Sequence, residues 1–200
     1  SALLASCSES ELWQNPQTEA RDGYIMLNFK TEIPAMQEVV TRAVDPDGGG
    51  VQDMTLFCFD SYGLFISTVK AGVTVQKPGP GEMEGTFKAE VPENTRTIHF
   101  LANQNMDEFK EDSFRNKSES EVMAVLEGSS GRMIYWGRFA CDAGNDSNIA
   151  EQMATSGNSV KLIRNHARIS VDNPDNNGHI VITGFAVCNT NAFGTVAPHH

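Results

Sequence analysis

The sequence has little positive charge, and its surplus of acidic residues excludes one class of partner. Lys and Arg together number 15 against 26 Asp and Glu, which gives a formal net charge of -11. Phosphate backbones repel a surface of this sign, so we expect no nucleic-acid partner. The sequence also lacks any apolar run near the ~18–20 residues that a membrane-spanning helix requires, and it therefore predicts no such helix.

Recognisable catalytic and metal-binding motifs are missing as well. There is no G-x-G-x-x-G, no Walker lysine, no H-E-x-x-H and no C-x-x-C. The GSSG run at 128–131 lacks the spacing of a nucleophile elbow. Asp45, Asp47 and Asp53 imitate part of a calcium loop, but its twelfth position is Leu56 and not a Glu. We therefore expect no catalytic residue, no metal site and no cofactor, and we do not expect an enzyme.

What the sequence does contain is a series of short strand-like runs separated by turns. Strands are predicted over 24–33, 53–60, 63–70, 84–91, 95–103, 132–140, 160–171 and 179–189. Helical spacing occurs at 106–114 and 118–127, and the second of these runs begins with a capping box, Ser118 with Glu121. KPGPGE at 77–82 and the polar run 141–159 are predicted to be irregular. Strands and helices do not alternate, so the fold class predicted is all-β, an antiparallel β-sandwich with one or two short helices.

The N-terminus resembles the processing site of a bacterial lipoprotein. Leu4-Ala5-Ser6-Cys7 is similar to the lipobox, in which the cysteine thiol is acylated and becomes the new N-terminus. A polar segment follows at once, as a tether should, so residues 1–21 are interpreted as signal remnant and tether. Lipidation of Cys7 would anchor the chain in the envelope of a Gram-negative cell. The alternative is an apolar stub with an incidental cysteine.

Three cysteines remain if Cys7 is set aside, an odd number that permits one disulfide at most. Cys58 and Cys188 lie in apolar, strand-like runs, whereas Cys141 begins the polar run after residue 140. Buried free thiols are therefore the preferred interpretation.

Five segments, taken in order, resemble one family. The chain opens with YIMLNFKTEIPAMQEVVTRAV and MTLFCFDSYGLFI, continues with RTIHFLANQN and LIRNHARISV, and closes with GFAVCNTNAFGTVAP. This order is similar to that of the FimA/Mfa-type fimbrillins, the subunits of type V pili. The resemblance covers nearly the whole chain. It implies a transthyretin-like sandwich over residues 22–200, the N-terminal domain of a protein with a second domain after residue 200.

The resemblance also implies a function and a mechanism. The protein would be a structural subunit of an adhesive pilus, exposed on the cell outer membrane through its lipid anchor and joined to other subunits by strand addition. The exchangeable strand would be 24–33, an edge strand with Ile25, Leu27 and Phe29 on one face. It would cover a groove lined by the side chains of Phe57, Phe59 and Phe100 or their neighbours.

The same family pattern implies that a trypsin-like protease cuts between Arg42 and Ala43. The local sequence agrees, because this pair precedes a loop rich in Pro and Gly that can enter a protease cleft. Arg21 is the competing site, although it precedes the strand and its cleavage would release nothing.

Two other classes of function remain open. A surface lipoprotein that does not polymerise could bind a glycan or a host protein, and it would present exposed aromatic residues. Trp13 and Trp136 are the only tryptophans, and aromatic residues make up 8% of the chain. An envelope hydrolase would need a cleft with perturbed carboxylates, which no sequence motif here indicates.

Overall fold

The computed structural model describes residues 20–33, 51–78, 83–128 and 133–165, with 183–184, 186, 188 and 194–197 near the C-terminus. Over 74–78 and 83–85 the description is limited to the backbone. Cys7, Arg42 and Ala43 lie outside the described residues, as do most of the strand predicted over 179–189 and the second half of that predicted over 160–171.

Eleven strands and two short helices make up the described part of the chain. The strands are β1 (Tyr24–Glu32), β2 (Met54–Phe59), β3 (Phe65–Lys70), β4 (Gly72–Pro78), β5 (Met83–Pro92), β6 (Thr97–Ala102), β7 (Glu127–Gly128), β8 (Tyr135–Ala140), β9 (Ser159–Lys161), β10 (Ile163–Arg164) and β11 (Gly194–Thr195). The helices are α1 (Glu119–Met123) and α2 (Ile149–Thr155), and a 3₁₀ turn spans Glu111–Ser113.

Two sheets contain nearly all of these strands. One has the order β4-β5-β1-β9, and the other has the order β10-β8-β6-β2-β3. A two-stranded ribbon of β11 and β7 stands apart. All pairs are antiparallel except β1 with β9. The predicted fold class, an all-β antiparallel sandwich with short helices, is confirmed.

The main core lies between the two sheets. Alternate residues of β1 and β5 point into it, because successive side chains of a strand lie on opposite faces. Phe29 pairs in register with Phe87, and their rings stack with centroids 5.5 Å apart. From the other sheet, Ile98 and Phe100 of β6 complete the cluster, because residues two apart on a strand share a face.

A second apolar cluster covers the outer face of the five-stranded sheet. Residues of β2, β3 and β6 contribute one side, and the connection from β6 to β8 contributes Val122, Met123 and Leu126. Val196 and Ala197, just after β11, also pack here. Every residue of β2 and β6 is buried as a result, since both faces of these central strands are covered.

Several local predictions differ from the structure. The segment predicted to be irregular at 77–82 is partly strand, because β4 runs to Pro78 and β5 begins at Met83. Helical spacing at 106–114 yields only the 3₁₀ turn. The polar run 141–159 contains α2, whose N-cap Asn148 forms a capping box with Glu151. The capping box predicted at Ser118 is confirmed.

Residues 159–164 pass from one sheet to the other at the side of the sandwich. β9 pairs with β1, and two residues later β10 pairs with β8. Gly137 of β8 makes room for this crossing, since a Cβ there would lie 2.8 Å from both the Leu162 side chain and the Lys161 carbonyl oxygen. The predicted continuous strand is therefore divided at the buried Leu162.

Candidate functional site

β1 is the candidate site, because it is the predicted exchangeable strand and the structure describes all of it. Its apolar face points into the core as predicted: Leu27 and Phe29 are each only 1% exposed, and Ile25 packs against the same cluster. Phe29 meets the edge of Phe100 from the opposite sheet at a centroid distance of 5.0 Å. The strand therefore supplies part of the central core of the sandwich.

The position of β1 in its sheet differs from the edge position predicted for it. β1 lies between β5 and β9. Its pairing with β5 extends from Tyr24 to Thr31, whereas β9 pairs only with Lys30–Glu32. Within the described ranges, no strand pairs with Tyr24–Phe29 on the β9 side. β1 is thus an edge over its first six residues and an inner strand at its end.

The groove beneath β1 is lined differently from the prediction. Phe100 lies under β1, but Phe57 and Phe59 belong to the second cluster on the outer face of the five-stranded sheet. The register explains this, because Leu56 is opposite Phe100 and Phe57 is opposite His99. Neighbouring residues of a strand face opposite ways, so Leu56 and Cys58 point inward and the two phenylalanines point out.

The beginning of β1 is held by polar contacts to β5. The Nε of Arg21 donates to Glu90 Oε2 at 2.7 Å, and the guanidinium carbon lies 4.3 Å from the centre of the Tyr24 ring. The backbone amide of Glu93 donates to the carbonyl oxygen of Gly23 at 3.0 Å. These contacts fix the entry of the chain into the sheet.

The end of β1 is held by the segment that follows α2. The amide of Lys30 donates to the Asn158 carbonyl oxygen at 2.7 Å, and the amide of Leu162 donates to the Glu32 carbonyl oxygen at 2.8 Å. The Ser159 hydroxyl also donates to the Glu32 carboxylate. Removal of β1 would have to break contacts at both of its ends.

A shallow cavity lies beside the end of β1. Its volume is about 170 Å³, and it is lined by Asn28, Phe29, Lys30, Thr86, Gly157 and Asn158. Small-molecule sites are typically ~300–1,000 Å³ and mostly apolar. This cavity is smaller and more polar than such a site.

Two polar residues in the segments that resemble fimbrillins hold the backbone at strand ends. Asp60, at the end of β2, accepts hydrogen bonds from the amides of Tyr62 and Leu64, each at 2.9 Å. These bonds shape the hairpin turn between β2 and β3. Asn165, at the end of β10, accepts from the amide of Ile134 at 2.9 Å and continues the pairing with the chain before β8.

Asn103 has the same kind of role at the end of β6. It is buried and has a φ of 62°, in the left-handed region that Asn tolerates better than most residues. Its Oδ1 accepts from the amide of Gln52 at 2.8 Å, and its Nδ2 donates to the carbonyl oxygen of Met133 at 3.1 Å. Asn103 thereby joins three segments of chain.

A polar network around the buried His99, on the outer face of the five-stranded sheet, is not predicted from the sequence. The indole Nε1 of Trp136 donates to His99 Nδ1 at 2.9 Å, and His99 Nε2 lies 2.7 Å from Glu119 Oε1. Because an indole can only donate, the proton of the neutral imidazole lies on Nε2 and points at Glu119. Arg138 donates to the same carboxylate at 2.6 and 3.2 Å.

These partners keep Glu119 ionised. The hydrogen bond from His99 contributes most to lowering the pKa of Glu119 to about 2; burial opposes it, and Arg138 adds to it. A carboxylate ionised so firmly cannot act as a general acid at neutral pH. Its role is to fasten α1 to β6 and β8.

The three described cysteines are free. Cys58 is fully buried, and this burial raises the pKa of its thiol to about 12. Burial also raises the pKa of Cys141, which is partly buried beside Arg96. Cys188 is exposed, unlike the buried thiol predicted for it.

The described residues contain neither a metal-binding cluster nor a membrane-spanning helix. No three side chains of His, Cys, Asp or Glu among them come together in a way that could hold a metal ion. In the same part of the chain, every helix is too short or too polar to cross a membrane.

Comparisons with known proteins add one distant likeness. No family model and no curated protein matches the chain. Among solved structures, it is similar to a fimbrial assembly protein from Parabacteroides distasonis ATCC 8503, with a TM-score of 0.39 and 11% sequence identity over 70% of this chain. The chain spans about half the length of that protein, 53% of it, and the likeness is one of fold at most.

Proposed function

We propose that this chain is a structural subunit of an adhesive cell-surface pilus, and that it joins other subunits by exchanging β1. One observation carries the proposal: β1 places Leu27 and Phe29 in the core, yet among the described residues its first six residues, Tyr24–Phe29, pair with β5 alone. The sequence resemblance to fimbrillins supports the same function.

Loss of β1 would leave a site shaped for another strand. The backbone groups of β5 that face β1, and those of β9 over three residues, would lose their partners. Phe87 and Phe100 would line the vacated groove. A strand with alternate apolar side chains could restore the backbone hydrogen bonds and fill the groove, which is the physical basis of strand addition.

Exchange requires that β1 can be released and that the chain is delivered to the cell surface. We assign release to cleavage between Arg42 and Ala43, and delivery to lipidation of Cys7, which places the subunit at the outer membrane. The sequence motifs at these two positions support both assignments. The partners are other pilus subunits, the outer membrane, and host proteins or glycans as adhesion targets. In this role the protein is not an enzyme and needs no cofactor.

The energetics require that a replacement strand be supplied. Burial of Leu27 and Phe29 is worth about 1.5–3 kcal/mol each, against a total domain stability of about 5–15 kcal/mol. A subunit that has lost β1 should therefore be unstable or aggregate until the groove is filled.

The test uses the full chain after trypsin cleavage. Cleaved protein is incubated with a fluorescent peptide of residues 22–33, and incorporation is measured by size exclusion and by the rise in melting temperature. A peptide with Leu27→Asp and Phe29→Asp is the matched control and should not bind. If the cleaved chain keeps its melting temperature and takes up neither peptide, β1 is not exchanged, and a lipoprotein that does not polymerise becomes the better explanation.

A further inference from the structure

Arg21 is held by two partners even though its side chain is 68% exposed. Its Nε donates to Glu90 on β5 at 2.7 Å, and its guanidinium carbon lies 4.3 Å from the centre of the Tyr24 ring. Glu90 itself is less accessible, with 28% of its side chain exposed. An arginine stacked on an aromatic ring and paired with a carboxylate uses both the face and the edge of its guanidinium group.

The backbone at Arg21 is also hydrogen-bonded. The carbonyl oxygen of Arg21 accepts a hydrogen bond from the amide of Tyr24 at 3.0 Å, which closes a tight turn. Gly23 lies inside this turn with a φ of 76°, a conformation that suits glycine. The chain at Arg21 is therefore a closed turn and not an extended segment.

We propose that Arg21, Tyr24 and Glu90 form a latch that closes the Arg21–Asp22 peptide bond to trypsin-like proteases. We name this group the Arg21 latch. The biological role of the latch rests on the proposed function. In that function the N-terminal tether, residues 1–21, must stay joined to the sandwich until the chain is cut after Arg42. The latch makes Arg21 a residue that determines where such a protease can cut.

The mechanism follows from what a trypsin-like protease requires. The arginine side chain must enter an acidic pocket, the residues around the bond must be extended, and the carbonyl group must be open to attack. In the folded protein the side chain is paired with Glu90, the chain is turned, and the carbonyl oxygen is bonded to the Tyr24 amide. Cleavage must then proceed from a locally opened form, and its rate follows the population of that form.

The experiment compares cleavage rates of the Arg21–Asp22 bond by mass spectrometry in the full chain and in a synthetic peptide of residues 16–27. The peptide corrects for the effect of Asp22 on the protease. We expect the bond to be cut at least about tenfold more slowly in the folded chain, since an exposed ion pair and a cation–π contact each stabilise the closed form modestly. Glu90→Gln should return about twofold to fivefold of this factor, because it removes the ion pair and leaves the contact with the Tyr24 ring in place.

Two control variants separate the latch from general effects of charge and ring loss. Glu93→Gln removes an exposed carboxylate three residues from Glu90 and should leave the rate unchanged, because Glu93 bonds to Gly23 through its backbone amide. Tyr24→Phe keeps the ring and should retain protection, whereas Tyr24→Leu should accelerate cleavage.

Two results would overturn the latch. The first is a folded chain that is cut after Arg21 as fast as the peptide. The second is a Glu90→Gln variant that is cut after Arg21 no faster than the unaltered chain. An equal rise of cleavage after Lys30 and Lys88 in this variant would also count against the latch, because it would show global unfolding. Cleavage after Arg42 is scored in the same digests. Its absence would contradict the proposed processing and would leave the result at Arg21 intact.

Discussion

Phe29 of the first strand and Phe100 of the opposite sheet form an edge-to-face pair, with centroids 5.0 Å apart and ring planes at 64°. Such a pair contributes about 0.5–1.5 kcal/mol beyond the area that the rings bury. It joins β1 to β6, the middle strand of the five-stranded sheet. The strand proposed to be exchanged is therefore also a principal contributor to the core.

Phe29→Ala should lower the free energy of unfolding by about 3–5 kcal/mol, because it removes a fully buried ring and leaves a cavity. Urea denaturation of the full chain measures this. Lys30→Ala, at the exposed neighbouring position, should change stability by no more than about 0.5 kcal/mol. A loss below about 1 kcal/mol for Phe29→Ala would contradict the packing described here.

Gly137→Ala should destabilise the protein by about 1–3 kcal/mol, the usual cost of an added methyl group in a full core. The new Cβ would lie 2.8 Å from the Lys161 carbonyl oxygen and 3.0 Å from the Val160 side chain. Gly184→Ala is the control, since none of the described residues lies within 4 Å of its Cβ position. Equal melting temperatures of the two variants would show that residues 159–164 do not cross at Gly137.

Acid should weaken the network around Glu119. The pKa of Glu119 is about 2 in the folded protein and about 4.5 in the unfolded chain, so its contribution is complete above pH 4.5 and is lost as the pH falls towards 2. Glu119→Gln should therefore be less stable than the unaltered protein at pH 7, and the difference should shrink between pH 4.5 and 2. Chemical denaturation at several pH values measures it. Glu108→Gln, at an exposed position, is the control for loss of one carboxylate.

Asn103→Ala should cost about 2–4 kcal/mol. It removes the hydrogen bonds to the Gln52 amide and the Met133 carbonyl oxygen, and it forces an alanine into the left-handed region. Asn103→Gly loses the same hydrogen bonds but accepts the backbone conformation, so it should recover about 1 kcal/mol of the loss. Thermal unfolding ranks the two variants, and the opposite order would contradict the role of the backbone conformation.

Cys58 should report on global unfolding. Burial raises the pKa of its thiol to about 12, so at pH 8 almost no thiolate forms and the side chain is inaccessible. In a Cys7→Ser background, Cys188 should react with a thiol reagent at once, and Cys58 should react only in denaturant. Peptide mapping after labelling identifies each site. Rapid labelling of Cys58 in the native protein would show that β2 opens locally.

Both helices begin with the same sequence signature, a capping box. The sequence predicts the capping box of Ser118 and Glu121, whereas Asn148 and Glu151 form an equally complete one inside the run 141–159, which is predicted to be irregular. Ile149 and Met153, four residues apart on α2, supply its buried side. The capping box of α2 is visible in the sequence. The polar residues around it, however, are typical of a loop, and a helix of seven residues is too short to show a clear apolar pattern.

Alternation of apolar residues determined, from the sequence alone, that β1 has an inward face of Ile25, Leu27 and Phe29. It could not determine which side of β2 faces that strand. Both faces of β2 are buried, so its pattern carries no alternation, and only the register with β6 places Phe57 on the outer side.

Two other features of the fold also depend on contacts between segments that are distant in sequence. The change of sheet near Leu162 depends on Gly137, and the latch at Arg21 depends on Glu90, 69 residues away. Short-range periodicity and capping chemistry act within a few residues, so they place the strands and helix starts along the chain. The partner of each strand depends on contacts between distant segments, which exist only once the two sheets have packed together.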